Sequence, residues 1–121
     1  MGVFSHDTAL SLLGLSDLAP IHVEMTVPSG WEGRRLKSPQ GVILHFAKIP
    51  QTERSFWGPV PITTALRTLN DCAEAGTERQ FLLQAVREAQ RRGLLVRADT
   101  PRLKPQLRKL LSRVQATGRR V

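Results

Sequence analysis

Ile21-His22-Val23-Glu24-Met25-Thr26-Val27 alternates apolar and polar side chains from end to end. A period of two puts Ile21, Val23, Met25 and Val27 on one side of an extended chain and His22, Glu24 and Thr26 on the other, the pattern of a strand with one buried face. Val42 to Ala47 reads as a second, more buried strand. Between them Pro28-Ser29-Gly30-Trp31-Glu32-Gly33 leads to Arg34 and Arg35, a turn-rich stretch, so the two strands are expected to pair as a hairpin with a long loop. Residues 49–61 hold three prolines and a glycine around Phe56 and Trp57 and read as irregular, with Val60 to Ile62 a short third strand.

Outside the strands the period changes to that of helices. Ser5 stands before an apolar set, Ala9, Leu10, Leu12 and Leu13, and Gly14 follows, which encloses two turns of helix between an N-cap and a terminating glycine. Thr63 or Thr64 caps a second helix with Ala65, Leu66, Leu69, Cys72 and Ala73 inward and Gly76 at its end. Thr77 and Gln80 have capping-box spacing for a third, whose inward face is Phe81, Leu82, Ala85, Val86 and Ala89 and whose end is Gly93. Thr100-Pro101 opens a fourth, with Leu103, Leu107, Leu110, Leu111 and Val114 in one stripe, and Pro105 is placed to delay its start by a turn. The expected fold is α+β, a small antiparallel sheet of two or three strands packed against three to four helices, in one domain over residues 1–121.

With 121 residues, 40% hydrophobic and 23% charged, the chain suits a single core. A lone cysteine, Cys72, excludes a disulfide framework and a thiolate zinc site and suits a reducing compartment. No apolar run approaches the roughly 18 residues of a membrane span, and no signal-peptide order stands at the start, so a cytoplasmic protein without membrane contact is expected. Lys and Arg outnumber Asp and Glu 18 to 10, a net charge of +8. Residues 1–60 carry five of each sign, so the whole excess lies in the second half, and from Pro101 onward there is no acid. Nucleic acid, DNA in preference to RNA, is the partner such a field attracts. Arg102, Lys104, Arg108, Lys109 and Arg113 lie between the leucines of the last stripe, and Arg91 and Arg92 extend the same basic region; these seven are the candidate phosphate contacts.

Catalytic motifs are not legible. If the two strands pair, His22, Glu24 and His45 approach one another and mimic two imidazoles and a carboxylate. Ordinary polar positions on a half-exposed sheet explain them without a metal, and no metal or other cofactor is expected. His6 and Asp7 have no Ser or Cys nucleophile motif beside them; Ser5 as cap and Asp7 at the positive helix end account for them. No glycine spacing forms a phosphate loop; Ser29 to Arg35 reads as an exposed loop in which Trp31 and the two arginines need no ligand. Cys72 falls on an apolar face and reads as buried, and Arg67 and Asp71 have the spacing of an ion pair.

Four stretches and their order carry a family resemblance. They are Val3-Phe4-Ser5-His6-Asp7-Thr8-Ala9-Leu10 with Leu13-Gly14-Leu15-Ser16; His22-Val23-Glu24-Met25-Thr26-Val27-Pro28; Gly41-Val42-Ile43-Leu44-His45; and Val60-Pro61-Ile62-Thr63-Thr64-Ala65-Leu66-Arg67-Thr68-Leu69-Asn70-Asp71. With Ala89-Gln90-Arg91-Arg92-Gly93-Leu94-Leu95 after them, the region from Val3 to about Leu95 resembles the C-terminal domain of the AbiE-type (AbiEi-like) antitoxin and transcriptional-regulator family. The resemblance implies a non-enzymatic antitoxin of a type IV toxin–antitoxin and phage-defence system, with a nucleotidyltransferase toxin as functional partner and no stable complex between the two. It also implies a part in regulating its own operon. The family's winged helix, which reads the operator, would precede the motif that here begins directly after Met1 and Gly2, so base-specific operator binding is not expected of this chain. A stand-alone basic nucleic-acid-binding module is the alternative.

Overall fold

The computed structural model describes residues 2–34 and 38–118, the side chains of 113–118 excepted. Five strands, β1 (Val3–Phe4), β2 (Val23–Val27), β3 (Val42–Phe46), β4 (Arg54–Trp57) and β5 (Val60–Thr63), form one mixed sheet in the order β3-β2-β1-β5-β4. Four helices accompany it: α1 (His6–Leu12), α2 (Ala65–Ala75), α3 (Arg79–Arg91) and α4 (Pro105–Gly118), with short 3₁₀ turns at Ser29–Trp31, Gln51–Glu53 and Arg97–Arg102.

The α+β layout stands, but the small antiparallel sheet does not. β2 and β3 are neighbours in parallel register, Val23 opposite Val42 and Val27 opposite Phe46, and not a hairpin. The connection from Pro28 to Gly41 is long enough to return the chain to the end it left, which a parallel pair requires of a dozen or so residues. Two further strands escaped the pattern. Val3–Phe4 is too short to show any period, yet it lies at the centre of the sheet, antiparallel to β2 and parallel to β5. Arg54–Trp57 sits inside the proline-rich stretch and is exposed along its whole length, so no alternation marks it; it forms an edge hairpin with β5 through Gly58, whose φ of 59° suits the first position of a tight turn. β2 also starts later than its alternation suggests. Ile21 is 92% exposed and His22 is exposed ahead of the strand, because pairing begins only where the Val23 amide reaches the Gly41 carbonyl.

The main apolar core is built between helices. Leu10 and Leu15 from α1 and the loop after it meet Leu69 and Cys72 of α2, Leu82 and Val86 of α3, and Leu107, Leu110 and Leu111 of α4. Phe81, expected in this core, is not part of it: half-buried, it lines a hollow together with Gly14–Asp17. Thr64 caps α2, accepting from the Arg67 amide at 3.4 Å, and Gly76 ends it at φ 87°. The capping box expected for α3 does not form: Glu78 occupies the cap position, and the Thr77 hydroxyl donates instead to Asp7 Oδ1 at 2.6 Å. Pro105 is the first residue of α4, since a proline there loses no helical hydrogen bond, and Thr100-Pro101 falls in the 3₁₀ turn before it. Asn70 clamps this junction, donating to the Arg102 carbonyl and accepting from the Lys104 amide, both at 2.9 Å. Val114 lies outside the described side chains.

Where sheet and helices meet, the buried residues turn polar. Ser5, Thr26, Thr63 and Thr68 are each at most 3% exposed. Thr26 donates to Ser5 Oγ at 2.8 Å, and the Thr63 and Thr68 hydroxyls are 2.7 Å apart. Hydroxyls at such depth are tolerated because they are paired, and among the described residues no buried side-chain nitrogen or oxygen lacks a partner.

Candidate functional site

The polar layer opens into a cluster of ionisable groups. In β2 and β3 the parallel register sets His45 beside Thr26, and side-chain alternation then puts Glu24, two residues earlier, on the same sheet face as His45. Their side chains meet, Glu24 Oε1 lying 3.0 Å from His45 Nε2. The third member is His6, the first residue of α1. It is the one non-glycine residue with positive φ among those described, 55°, a left-handed conformation that histidine adopts more readily than most residues. At this turn from β1 into α1 the His6 ring stacks on that of His45, with centroids 3.7 Å apart and planes 16° from parallel.

Each member is held by a neighbour. Ser5 Oγ is 2.8 Å from His6 Nδ1, and the Asp7 amide donates to Glu24 Oε2 at 3.2 Å. The Glu24 amide donates to Thr8 Oγ1 at 2.8 Å, which ties the first turn of α1 to β2 a second time. Burial, and next the His45 imidazole, hold His6 below its ordinary pKa, against the opposing fields of Asp71, Glu24 and Asp7. The sequence pairing of His22 with Glu24 and His45 is thereby corrected: His22 stands exposed before β2, and His6 takes its place.

Beside this trio lies an ion-pair network. Arg67 Nε donates to Asp71 Oδ1 at 2.9 Å, and Arg67 Nη1 to Glu53 Oε2 at 3.0 Å. Burial raises the Asp71 pKa more than Arg67 and His6 lower it. Burial also opposes the charge on Arg67, but the bonds to Glu53 and Asp71 outweigh it and keep the guanidinium protonated. Cys72 is fully buried; burial first and the Asp7 charge second push its thiol far above the ordinary range, which holds it as the neutral thiol.

Of the seven basic candidates, six have described side chains. Arg108 and Lys109 are exposed on α4, on the side away from the buried Leu107, Leu110 and Leu111. Arg102 is exposed just before α4, and Lys104 faces Glu74 at 3.4 Å. The side chain of Arg113 falls outside the described residues. Arg91 and Arg92 share Glu88, each with a 2.6 Å contact to its Oε2, and Arg92 also donates to the carbonyls of Leu13 and Gly14, closing the end of α1. Lys109 lines a hollow with Arg79 at the first turn of α3, whereas Arg91 and Arg92 are at its other end, about 18 Å along the axis. In the loop after β2, the Arg34 guanidinium lies 5.0 Å over the Trp31 ring, and Arg35 is outside the described residues.

Among the described residues, no helix is long and apolar enough to cross a membrane. No protein-family model matches the chain, and no curated protein matches it.

Proposed function

We propose that this chain is the antitoxin domain of an AbiE-like type IV toxin–antitoxin system, acting without catalysis of its own to counter a nucleotidyltransferase toxin. One observation supports this reading above the others. The four stretches that carry the resemblance form adjacent strands and the two helices that pack together, and each contributes to one cluster: His6 and Asp7, Glu24, His45, and Arg67 with Asp71. A set of motifs scattered over the sequence thus converges on one polar locus, as expected where a shared function rests on a shared surface. The test is co-expression with a nucleotidyltransferase toxin gene of the AbiE type, scored as growth. Rescue by this chain supports the antitoxin reading, and unrelieved toxicity at equal expression overturns it.

A second reading is a nucleic-acid-binding module that works through the basic end of the chain in the cytoplasm. What favours it is the exposure of Arg108 and Lys109 on a helix whose segment from Pro101 has no acid. Duplex binding of this kind weakens with salt by a log–log slope of about 0.9 per phosphate neutralised and shows little sequence preference. Changing Arg108, Lys109 and Arg113 together to Glu should abolish it. Undiminished binding by the folded triple variant across a salt series refutes the module.

A further inference from the structure

We infer that His6, Glu24 and His45 form a binding site for one divalent first-row transition-metal ion, with zinc the best match to the donors. Each residue offers one ligand atom, and these atoms all lie within 4.8 Å of one another. Two imidazoles and one carboxylate form the donor set of open zinc sites and of non-haem iron centres, in which protein ligands leave a position for water or an exogenous ligand. Here the partial exposure of all three residues leaves such a position open to solvent.

The surroundings fit ligands more closely than they fit a chance polar contact. Ser5 Oγ engages His6 Nδ1, which leaves Nε2 as the coordinating atom, and the Asp7 amide engages Glu24 Oε2, which leaves Oε1. Metal-binding histidines and carboxylates are oriented in this way, by a second hydrogen bond on the atom that does not ligate. Ser5 is itself fixed, buried and bonded to Thr26. The left-handed backbone at His6 is the strained element that brings this ring to the other two, and such outliers persist where the surroundings enforce them.

The rearrangement needed is specific. Ligands of a tetrahedral zinc ion stand about 3.3 Å apart. The 3.0 Å between Glu24 Oε1 and His45 Nε2 is a few tenths short of that. Near-parallel stacked imidazoles cannot both aim an in-plane lone pair at one ion. One ring must therefore turn about its Cβ–Cγ bond as the ion replaces the hydrogen bond between Glu24 and His45. The site is independent of the antitoxin reading, and the two fail in different assays.

The experiment uses untagged protein freed of metal by a chelator, titrated with Zn²⁺ by calorimetry and with Co²⁺ by visible absorption. One ion per chain is expected, with the intense d–d bands of a tetrahedral cobalt centre. His6→Ala, His45→Ala and Glu24→Gln should each weaken binding at least tenfold, Ser5→Ala by about tenfold, and His22→Ala not at all. Because Ser5 and His6 also serve the fold, nitrogen NMR of the parent protein gives a reading free of substitution: Zn²⁺ should shift the ring nitrogens of His6 and His45 and spare those of His22. The absence of a stoichiometric ion, affinity that survives these changes, or shifts confined to His22 would overturn the site.

Discussion

Leu107 tests whether the basic end of this protein is part of the fold or an appendage to it. Its side chain is fully buried in α4, among a cluster that includes Leu69, Leu82 and Leu103. Leu107→Ala removes three buried carbons, which at about 0.8 kcal/mol each amounts to about 2.4 kcal/mol of lost transfer free energy. The cavity adds to this, because close-packed neighbours on four helices relax only in part, so a total of about 3 kcal/mol is expected, inside the range of about 2–5 for such truncations. Urea unfolding followed by far-ultraviolet circular dichroism measures it, provided the slope with denaturant stays that of the parent. Lys109→Ala, two residues on and exposed, should change stability by less than about 0.5 kcal/mol. A loss below about 1 kcal/mol for Leu107→Ala would show that α4 does not share the core, and the placement of Arg108 and Lys109 by that packing would fall with it.

Removing one partner of the buried network should cost more than the network contributes: Arg67→Ala strands Asp71, 11% exposed, and is expected to destabilise by about 3 kcal/mol, with Asp71→Ala in the same chain recovering part of it in thermal unfolding. Gly76→Ala meets no atom within 4 Å of the added carbon, so its cost, about 1 kcal/mol by urea titration, should come from the left-handed backbone alone. Hydrogen bonds from Arg91 and Arg92 lower the surface carboxylate of Glu88 to about 2. Its stabilising contribution is therefore present above the ordinary carboxylate pKa and lost as pH falls through about 2, and a carbon NMR titration should follow it there; replacing both arginines with Gln should return the midpoint to the ordinary range.

Much of this protein can be read from local pattern. Helices α2 and α3, the glycine that ends α2, the buried Cys72 and the Arg67–Asp71 pair follow from spacing on one helix, because residues three and four apart meet whatever the rest of the chain does. The adjacency of Glu24 and His45 was legible only as a conditional, since it needs their two strands to be neighbours in a suitable register.

Tertiary structure decided the remainder. Strand direction is not encoded by alternation within a strand, so a pair that reads as antiparallel is parallel. Val3–Phe4 becomes a central strand only because β2 and β5 flank it, and Arg54–Trp57 an edge strand only because β5 offers its free side. Thr77 has the spacing of a cap but bonds Asp7, a residue distant in sequence that α1 carries to it. His6 joins Glu24 and His45 for the same reason: a φ of 55° at the junction of β1 and α1 governs where its ring lies. Composition and periodicity determined where the helices lie, most of the core between them and the charge; the sheet's topology and the histidine–glutamate cluster arose from contacts between residues far apart in sequence, whose geometry only the assembled backbone sets.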